Sequence, residues 1–232
     1  MPPIGNDEDS LVLLKELKNY MKKHAPFYNY IMPDKYVGIL ENLKGFYKSL
    51  LSTIDIPLDG DLETIYKRID KKARWGVNKA KKEGLQVIEA GSLGEVEEFY
   101  KIYKETCHRG NITPIPLEFM KDFFSKLKEY NFLFLVKYKG EYIAGSWVKI
   151  YGKNFSIPKQ EYNASLTEYL NMQPNNLLYW HMIEWAKNKG YSYLDLGGTD
   201  SEAQKGSKQD NLNQFKERWG EKRRIIIFTH LP

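Results

Sequence analysis

The stretch that most limits what this chain can fold into is MQPNNLLYWHMIEWAKNKGYSYLDLGG, residues 172–198. After Pro174, Leu178, Met182 and Ala186 recur at helical spacing, and Leu177, Trp180 and Ile183 widen the stripe. Asn175 or Asn176 is available as the N-cap, Lys187 and Lys189 suit the negative end of the helix dipole, and Gly190 stops the helix. Residues 191–196 then read as a short strand that Gly197 and Gly198 are expected to break. Any α/β protein can contain such a loop, helix and returning strand, so the unit alone fixes no function. It is also a ready anion site, because the first N–H groups of a helix are unpaired and its dipole favours negative charge there. Asn175, Asn176 and Leu177 are therefore candidate phosphate-binding residues of a donor site.

The rest of the chain supplies what this unit packs against. Leu62, Ile65, Ile69, Ala73, Val77 and Ala80 predict one helix over 61–82, with Gly84 as its stop. A short strand over 85–90 follows, then amphipathic helices over 95–109 and 116–130. Residues 132–138 and 142–151 read as strands, with a third through Phe155 and Ile157. The turns at Lys139–Gly140 and at 152–154 make these an antiparallel meander. After the 172–198 unit come a polar loop over 199–211, a short helix over 212–219 and a final β-branched strand over 224–229. Toward the N-terminus, Leu11, Leu14, Leu17 and Met21 predict a helix over 10–24. An aromatic, proline-broken connector follows, and then a strand around 50–56. The order predicts an α+β fold: a mixed, mainly antiparallel central sheet flanked by helices, with a helical N-terminal extension over 1–58 and one main domain over 59–232.

Charge adds a second clue. The net charge is +5, but eight basic residues crowd into 67–84 against Asp70 and Glu83 alone, and a second basic cluster lies over 216–224. Such clusters fit a nucleotide, phosphate or tRNA partner, and they equally fit a solvated lysine-rich helix face. The single cysteine, Cys107, excludes an internal disulfide and falls on a helix stripe as a small core residue. The four histidines show no metal-ligand spacing, so no metal site is expected. No signal peptide or membrane-spanning run is visible, which places the chain in the cytoplasm as an expectation.

Four stretches, in order, resemble one branch of the GNAT acyltransferase superfamily, the Fem-type peptidyltransferases that build the interpeptide bridges of peptidoglycan. KKARWGVNKAKKEG (71–84) is similar to the basic helix end R-x-x-I-x-K-A-x-x-x-G. Residues 174–190 resemble P-x-x-L-L-x-W-x-x-I-x-W-A-x-x-x-G, and 193–198 resemble Y-D-L-G-G. FKERWG (215–220) resembles F-K-x-x-F/W-G. The likeness covers roughly residues 60–230.

The resemblance implies a GNAT-like fold and transfer of an acyl group to an amine. The donor would be an aminoacyl-tRNA, as in bridge formation, or an acyl-CoA. No permanently bound cofactor is implied. The acceptor would be an amine of a peptidoglycan precursor or of an amino sugar. Phe215 and Lys216 inherit the place of the family's F-K pair, with Lys216 as a stabiliser of the tetrahedral oxyanion and Phe215 as a channel wall. Asp195 is the best-placed carboxylate to accept the amine's proton, or else a cap for the loop after its strand. Tyr162 and Tyr169 are weaker candidates for the base and, with Gly197 and Gly198, for substrate binding. Arg74 and Lys79 are candidates for donor phosphates. Bridge-forming enzymes carry two tandem GNAT-like domains, whereas this chain holds one plus about sixty residues. That leaves room for a homodimer that supplies the missing half, and for peripheral contact with the inner membrane face. Two readings of another class remain beside it: a non-catalytic RNA- or phospho-ligand-binding module, and a subunit docked through residues 1–60.

Overall fold

The computed structural model describes residues 28–33, 47–150 and 157–230, together with helical residues 12, 15, 16, 19, 20 and 23. The helix expected over 10–24 is thus described only at those positions. The turn expected at 152–154 lies outside the described residues. Two compact units emerge: one of residues 1–54, 198–214 and 222–232, the other of residues 55–197 and 215–221.

In the larger unit the expected single helix over 61–82 is two: α1 (Leu62–Arg68) and α2 (Lys71–Lys82). The break is chemical. Asp61 accepts the Thr64 N–H and Asp70 accepts the Lys72 N–H, at 2.8 and 2.7 Å, so each acid caps its own helix. An apolar stripe that ran through both did not show this division. β3 (Gln86–Glu89) follows, then α3 (Leu93–Gly110), opened by a capping box between Ser92 and Glu95 and closed by left-handed Asn111. Next come α4 (Leu117–Lys126), β4 (Asn131–Tyr138), β5 (Glu141–Ile150) and β6 (Pro158–Ser165). The third meander strand is therefore described from the residue after Ile157, and the Phe155 expected in it lies outside the described residues. A 3-10 turn (Thr167–Met172), α5 (Pro174–Asn188) and β7 (Tyr193–Thr199) complete the organising unit.

The strands of this unit run in the order β7–β6–β5–β4–β3. β3, β4, β5 and β6 pair antiparallel and β6 pairs with β7 in parallel, as a mixed, mainly antiparallel sheet requires. One face of the sheet is covered by α3 and α4, whose Val96, Phe99, Ile102, Cys107 and Met120 pack on Leu133, Leu135, Trp147 and Ala164. Cys107 is buried there, as expected. The other face carries α5, which is buried almost all round; Tyr179 and Trp185 are interior as well as the predicted stripe. α2 approaches α5 closely because Gly76 has no side chain: a Cβ there would lie 2.5 Å from the Asn176 side chain.

In the smaller unit β1 (Tyr28–Pro33) pairs antiparallel with β8 (Glu221–His230), from Tyr28 against His230 to Pro33 against Ile225. Residues 47–54 of β2 (Tyr47–Pro57) are its third strand, while residues 55–57 belong to the larger unit. The N-terminal extension is therefore not simply helical: the segment read as an aromatic connector contains β1, and β2 is longer than the strand expected around 50–56. Residues 199–211, expected to be a loop, carry the start of α6 (Lys208–Glu217).

Candidate functional site

The candidate site is built where β6 and β7 part. The two strands share one register pair, Lys159 with Asp195, and beyond it they no longer pair. Two residues further along, β6 carries a bulge. Trp147 faces Tyr162 while the next residue, Val148, faces Gln160, which leaves Glu161 as the extra residue. A bulge of this kind bends its strand away from its neighbours.

Gly197 sits beside the parting point and is held there by two constraints. Its φ is +78°, a conformation that side chains resist. A Cβ would lie 3.2 Å from the Gln160 carbonyl oxygen and 3.7 Å from Lys216 Nζ. The strand does not break at Gly197 and Gly198 as expected: β7 runs on to Thr199. Gly197→Ala is expected to cost about 1–2 kcal/mol from the left-handed backbone alone. Thermal unfolding checks this, and a melting temperature equal to that of the native protein would remove the constraint.

Asp195 Oδ1 accepts the Gly197 N–H at 2.7 Å, so the acid fixes the backbone turn that brings Gly197 under Lys216. This is the loop-capping role weighed for Asp195 from the sequence. The same carboxylate also acts on Lys216. Burial is the largest influence and pulls the Lys216 ammonium down to about 8; the Asp195 charge opposes that and the Lys159 charge adds to it. At neutral pH Lys216 is thus a cation held in a half-buried site, with its counter-charge on β7.

Phe215, one residue before Lys216, meets the ring of Tyr179 edge-on at 5.2 Å, and Tyr179 also packs on Trp219 at 5.4 Å. Tyr179 is fully interior, and its hydroxyl donates to Gln160 Oε1 at 2.9 Å. From Gln160 a chain of amide and hydroxyl groups continues. Its Nε2 donates to Ser146 Oγ at 2.9 Å and to Asn163 Oδ1 at 3.3 Å. Asn163 donates to Asn175 Oδ1 at 3.1 Å, and Asn175 donates to Ser165 Oγ at 3.2 Å. A buried polar network of this extent is costly unless its members are paired, and here it locks β5, β6 and the first turn of α5 together. Sequence reasoning missed Gln160, Tyr179, Ser146 and Asn163.

The sequence-predicted residues divide accordingly. Lys216, Phe215, Asp195 and Gly197 come together. The helix start is different from the one expected: Pro174 is the first helical residue and Gln173, in the left-handed region at φ 64°, is the N-cap, without a capping bond from its side chain. Asn175 belongs to the network above. Asn176 donates to Gln173 Oε1 at 2.9 Å and is buried against α2, and Leu177 is buried too. Arg74 spends its guanidinium on the carbonyls of Lys67 and Ile69, at 2.6 and 3.1 Å, closing the end of α1. Lys79 lies on the outer side of α2, 5.4 Å from the ring centre of Trp75. Tyr162 packs on Tyr103 on the α3 side of the sheet, and Tyr169 donates to Glu141 at 3.2 Å. Gly198 belongs to the smaller unit, near the Ser52 carbonyl. Among the described residues no group of His, Cys, Asp or Glu is placed to hold a metal ion. No described helix is long and apolar enough to cross a membrane.

Comparison with known proteins adds three findings. Residues 67–206 match the family described as "Acetyltransferase (GNAT) domain". Over 82 residues the chain is 34% identical to "Lipid II:glycine glycyltransferase" of Staphylococcus saprophyticus, and over 83 residues it is 31% identical to the protein of that name in Staphylococcus epidermidis. Each match takes in 35% of this chain and 19% of the relative, so it spans about a fifth of those proteins' length. The crystal structure of FemX superposes with a TM-score of 0.78 at 17% identity, covering 98% of this chain and 77% of that one. L-PGS from Bacillus licheniformis superposes with a TM-score of 0.64 at 13% identity, covering 97% and 74%. At these identities the two structures speak to the fold alone.

Proposed function

Because the chain belongs to the GNAT acetyltransferase-domain family and its sequence likeness runs to the Fem-type branch, we propose that it transfers an aminoacyl group from an aminoacyl-tRNA to an amine of a cell-wall peptide precursor. The observation that carries this reading is the meeting of Lys216, Asp195 and Gly197 where β6 and β7 part. The amine nitrogen attacks the carbonyl carbon of the donor ester and forms the new C–N bond. The carbonyl oxygen becomes an oxyanion, which the Lys216 ammonium stabilises. The amine sheds a proton toward the carboxylate of Asp195. The C–O bond then breaks, and the released 3′-hydroxyl of the tRNA takes up a proton. Phe215 walls the channel, and the Tyr179–Gln160 bond fixes Phe215 and β6 relative to each other.

A second reading rests on the family match itself: an acyl-CoA donor in the same groove, with an amino sugar or amino acid as acceptor. The chemistry at carbon is the same and the leaving group is a thiol. The test offers the protein two labelled donors, acetyl-CoA and mixed aminoacyl-tRNA, with a pool of amine acceptors that includes a pentapeptide precursor. Label is expected to move from tRNA to the peptide amine. Label moving from CoA alone replaces the first reading with the second. Label moving from neither retires both.

A further inference from the structure

The outer face of α2 takes no part in the site described above, yet it sets an exposed tryptophan among lysines. At 100° per residue, Lys71, Lys72, Trp75, Asn78, Lys79 and Lys82 fall within about 60° of Trp75. The opposite side, Ala73, Gly76, Val77 and Ala80, is buried. Of the chain's five tryptophans, Trp75 is 58% exposed, whereas the other four are 9% exposed or less. A cleft of about 450 Å³ runs beside it, lined by Trp75, Asn78, Lys79, Lys82 and Glu83.

We infer that this face docks the protein on an anionic lipid surface, with Trp75 entering the headgroup layer and Lys71, Lys72, Lys79 and Lys82 drawing it there. The charge on the face is complementary to such a surface, since four lysines surround the ring while Glu83 lies at its edge and Asp70 at the N-cap of α2. A tryptophan flanked by lysines is the combination that settles at a membrane interface: an amphipathic ring at headgroup depth, and ammonium groups reaching lipid phosphates on flexible stems. The kind of cation also separates lipid from nucleic acid. Of the nearby guanidiniums, Arg74 is spent on backbone carbonyls and Arg68 is paired with Asp59 at 2.8 Å on the surface. The outer face therefore offers point charges and a single ring. Recognition of nucleic acid beyond its backbone charge draws on bidentate arginine and on successive platforms that stack bases. The inference rests on the proposed function only in expecting a lipid-borne acceptor. The face itself stands on its own geometry.

The test is sedimentation of the full chain with vesicles of phosphatidylcholine alone or mixed with phosphatidylglycerol, at about 0.1 M salt, where exposed charges are screened beyond about 10 Å. Brominated lipid serves as a quencher in parallel. Binding is expected to rise with phosphatidylglycerol content and fall with salt. Because the other tryptophans are interior, quenching is expected to vanish in Trp75→Ala. That variant should lower the partition coefficient roughly fivefold, and Lys71→Gln and Lys82→Gln should each lower it roughly fivefold more. All three positions are exposed. Circular dichroism of each variant is expected to match the native protein.

Absence of binding to the anionic vesicles overturns the inference. So does native-like binding by the triple variant. If a structured RNA binds, loses its binding in the same variants, and the vesicles do not bind, the face belongs to nucleic acid and the inference falls. Transfer to a soluble peptide acceptor without vesicle binding removes the docking face and leaves the proposed reaction standing. Vesicle binding without transfer does the reverse.

Discussion

Lys216→Ala is expected to lower the turnover of aminoacyl transfer a hundredfold to a thousandfold, the cost of removing one oxyanion donor. Lys216→Arg is expected to retain part of the rate and to change its pH dependence. The sign follows from the site. Burial lowers the Lys216 ammonium to about 8, so below that pH the group is charged and above it the charge is lost. If the cation is the active form, the native rate falls as pH rises through about 8, approaching tenfold per unit. A guanidinium stays charged across the same range, so the Arg variant should lack this descending limb. Deprotonation of the acceptor amine raises both profiles alike and cancels in their ratio. A ratio of native to Arg rates that is flat from pH 7 to 10 would remove Lys216's charge from the mechanism. A ratio that rises with pH would recast Lys216 as the base that takes the amine's proton. The drop in Lys216→Ala would then measure proton transfer and not oxyanion stabilisation.

The parts of the fold legible in the sequence were those written in apolar spacing. The stripe Leu178, Met182, Ala186 gave α5, Val96, Phe99 and Cys107 gave α3, and the turn at Lys139–Gly140 gave the β4–β5 hairpin. Spacing was silent where hydrogen bonding decides. Asp70 divides one apolar stripe into two helices through a single capping bond, and the stripe itself carries no trace of the division. β6 reads PKQEYNAS, too polar to be recognised as an interior strand, because its buried positions Gln160 and Ser165 are satisfied by amide and hydroxyl partners. The most informative residues of the site lie on that strand. The four local stretches located Phe215, Lys216, Asp195 and Gly197, which the fold brings together, but they could not show that Tyr179 and Gln160 connect them. Nor could a run of basic residues show which charges face outward. Arg74 and Lys79 are five residues apart on one helix, and only the fold separates an internal cap from a surface cation.

The glycine of the F-K-x-x-W-G stretch has a physical reason that yields the second large effect. Gly220→Ala is expected to destabilise the protein by about 3 kcal/mol, near the upper end for overpacking. For a chain of this size that lowers the unfolding midpoint by about 6–12 °C. The Asp55–Ile56 backbone at the end of β2, in the same unit, passes directly over this residue. A Cβ at Gly220 would lie 2.3 Å from the Asp55 carbonyl oxygen, 2.8 Å from its carbon and 3.1 Å from Ile56 Cα. These are main-chain atoms of a buried segment, with Ile56 1% exposed, so no side chain can swing aside. The conformation at Gly220 is not left-handed, so the cost is steric. Without the contact, alanine would stabilise by about 0.4–1 kcal/mol through the unfolded chain. Gly91→Ala supplies that reference, because nothing lies within 4 Å of its Cβ position and its backbone is ordinary. The two substitutions should therefore shift the midpoint in opposite directions. Equal shifts would mean that β2 yields freely at Asp55. If it does not yield, the strain must be relieved on the other side. There the Trp219 N–H is bonded to the Lys216 carbonyl at 3.0 Å, so displacing Gly220 draws on the backbone that carries Lys216. Gly220→Ala should then lose transfer activity at temperatures where it is still folded, and Gly91→Ala should not.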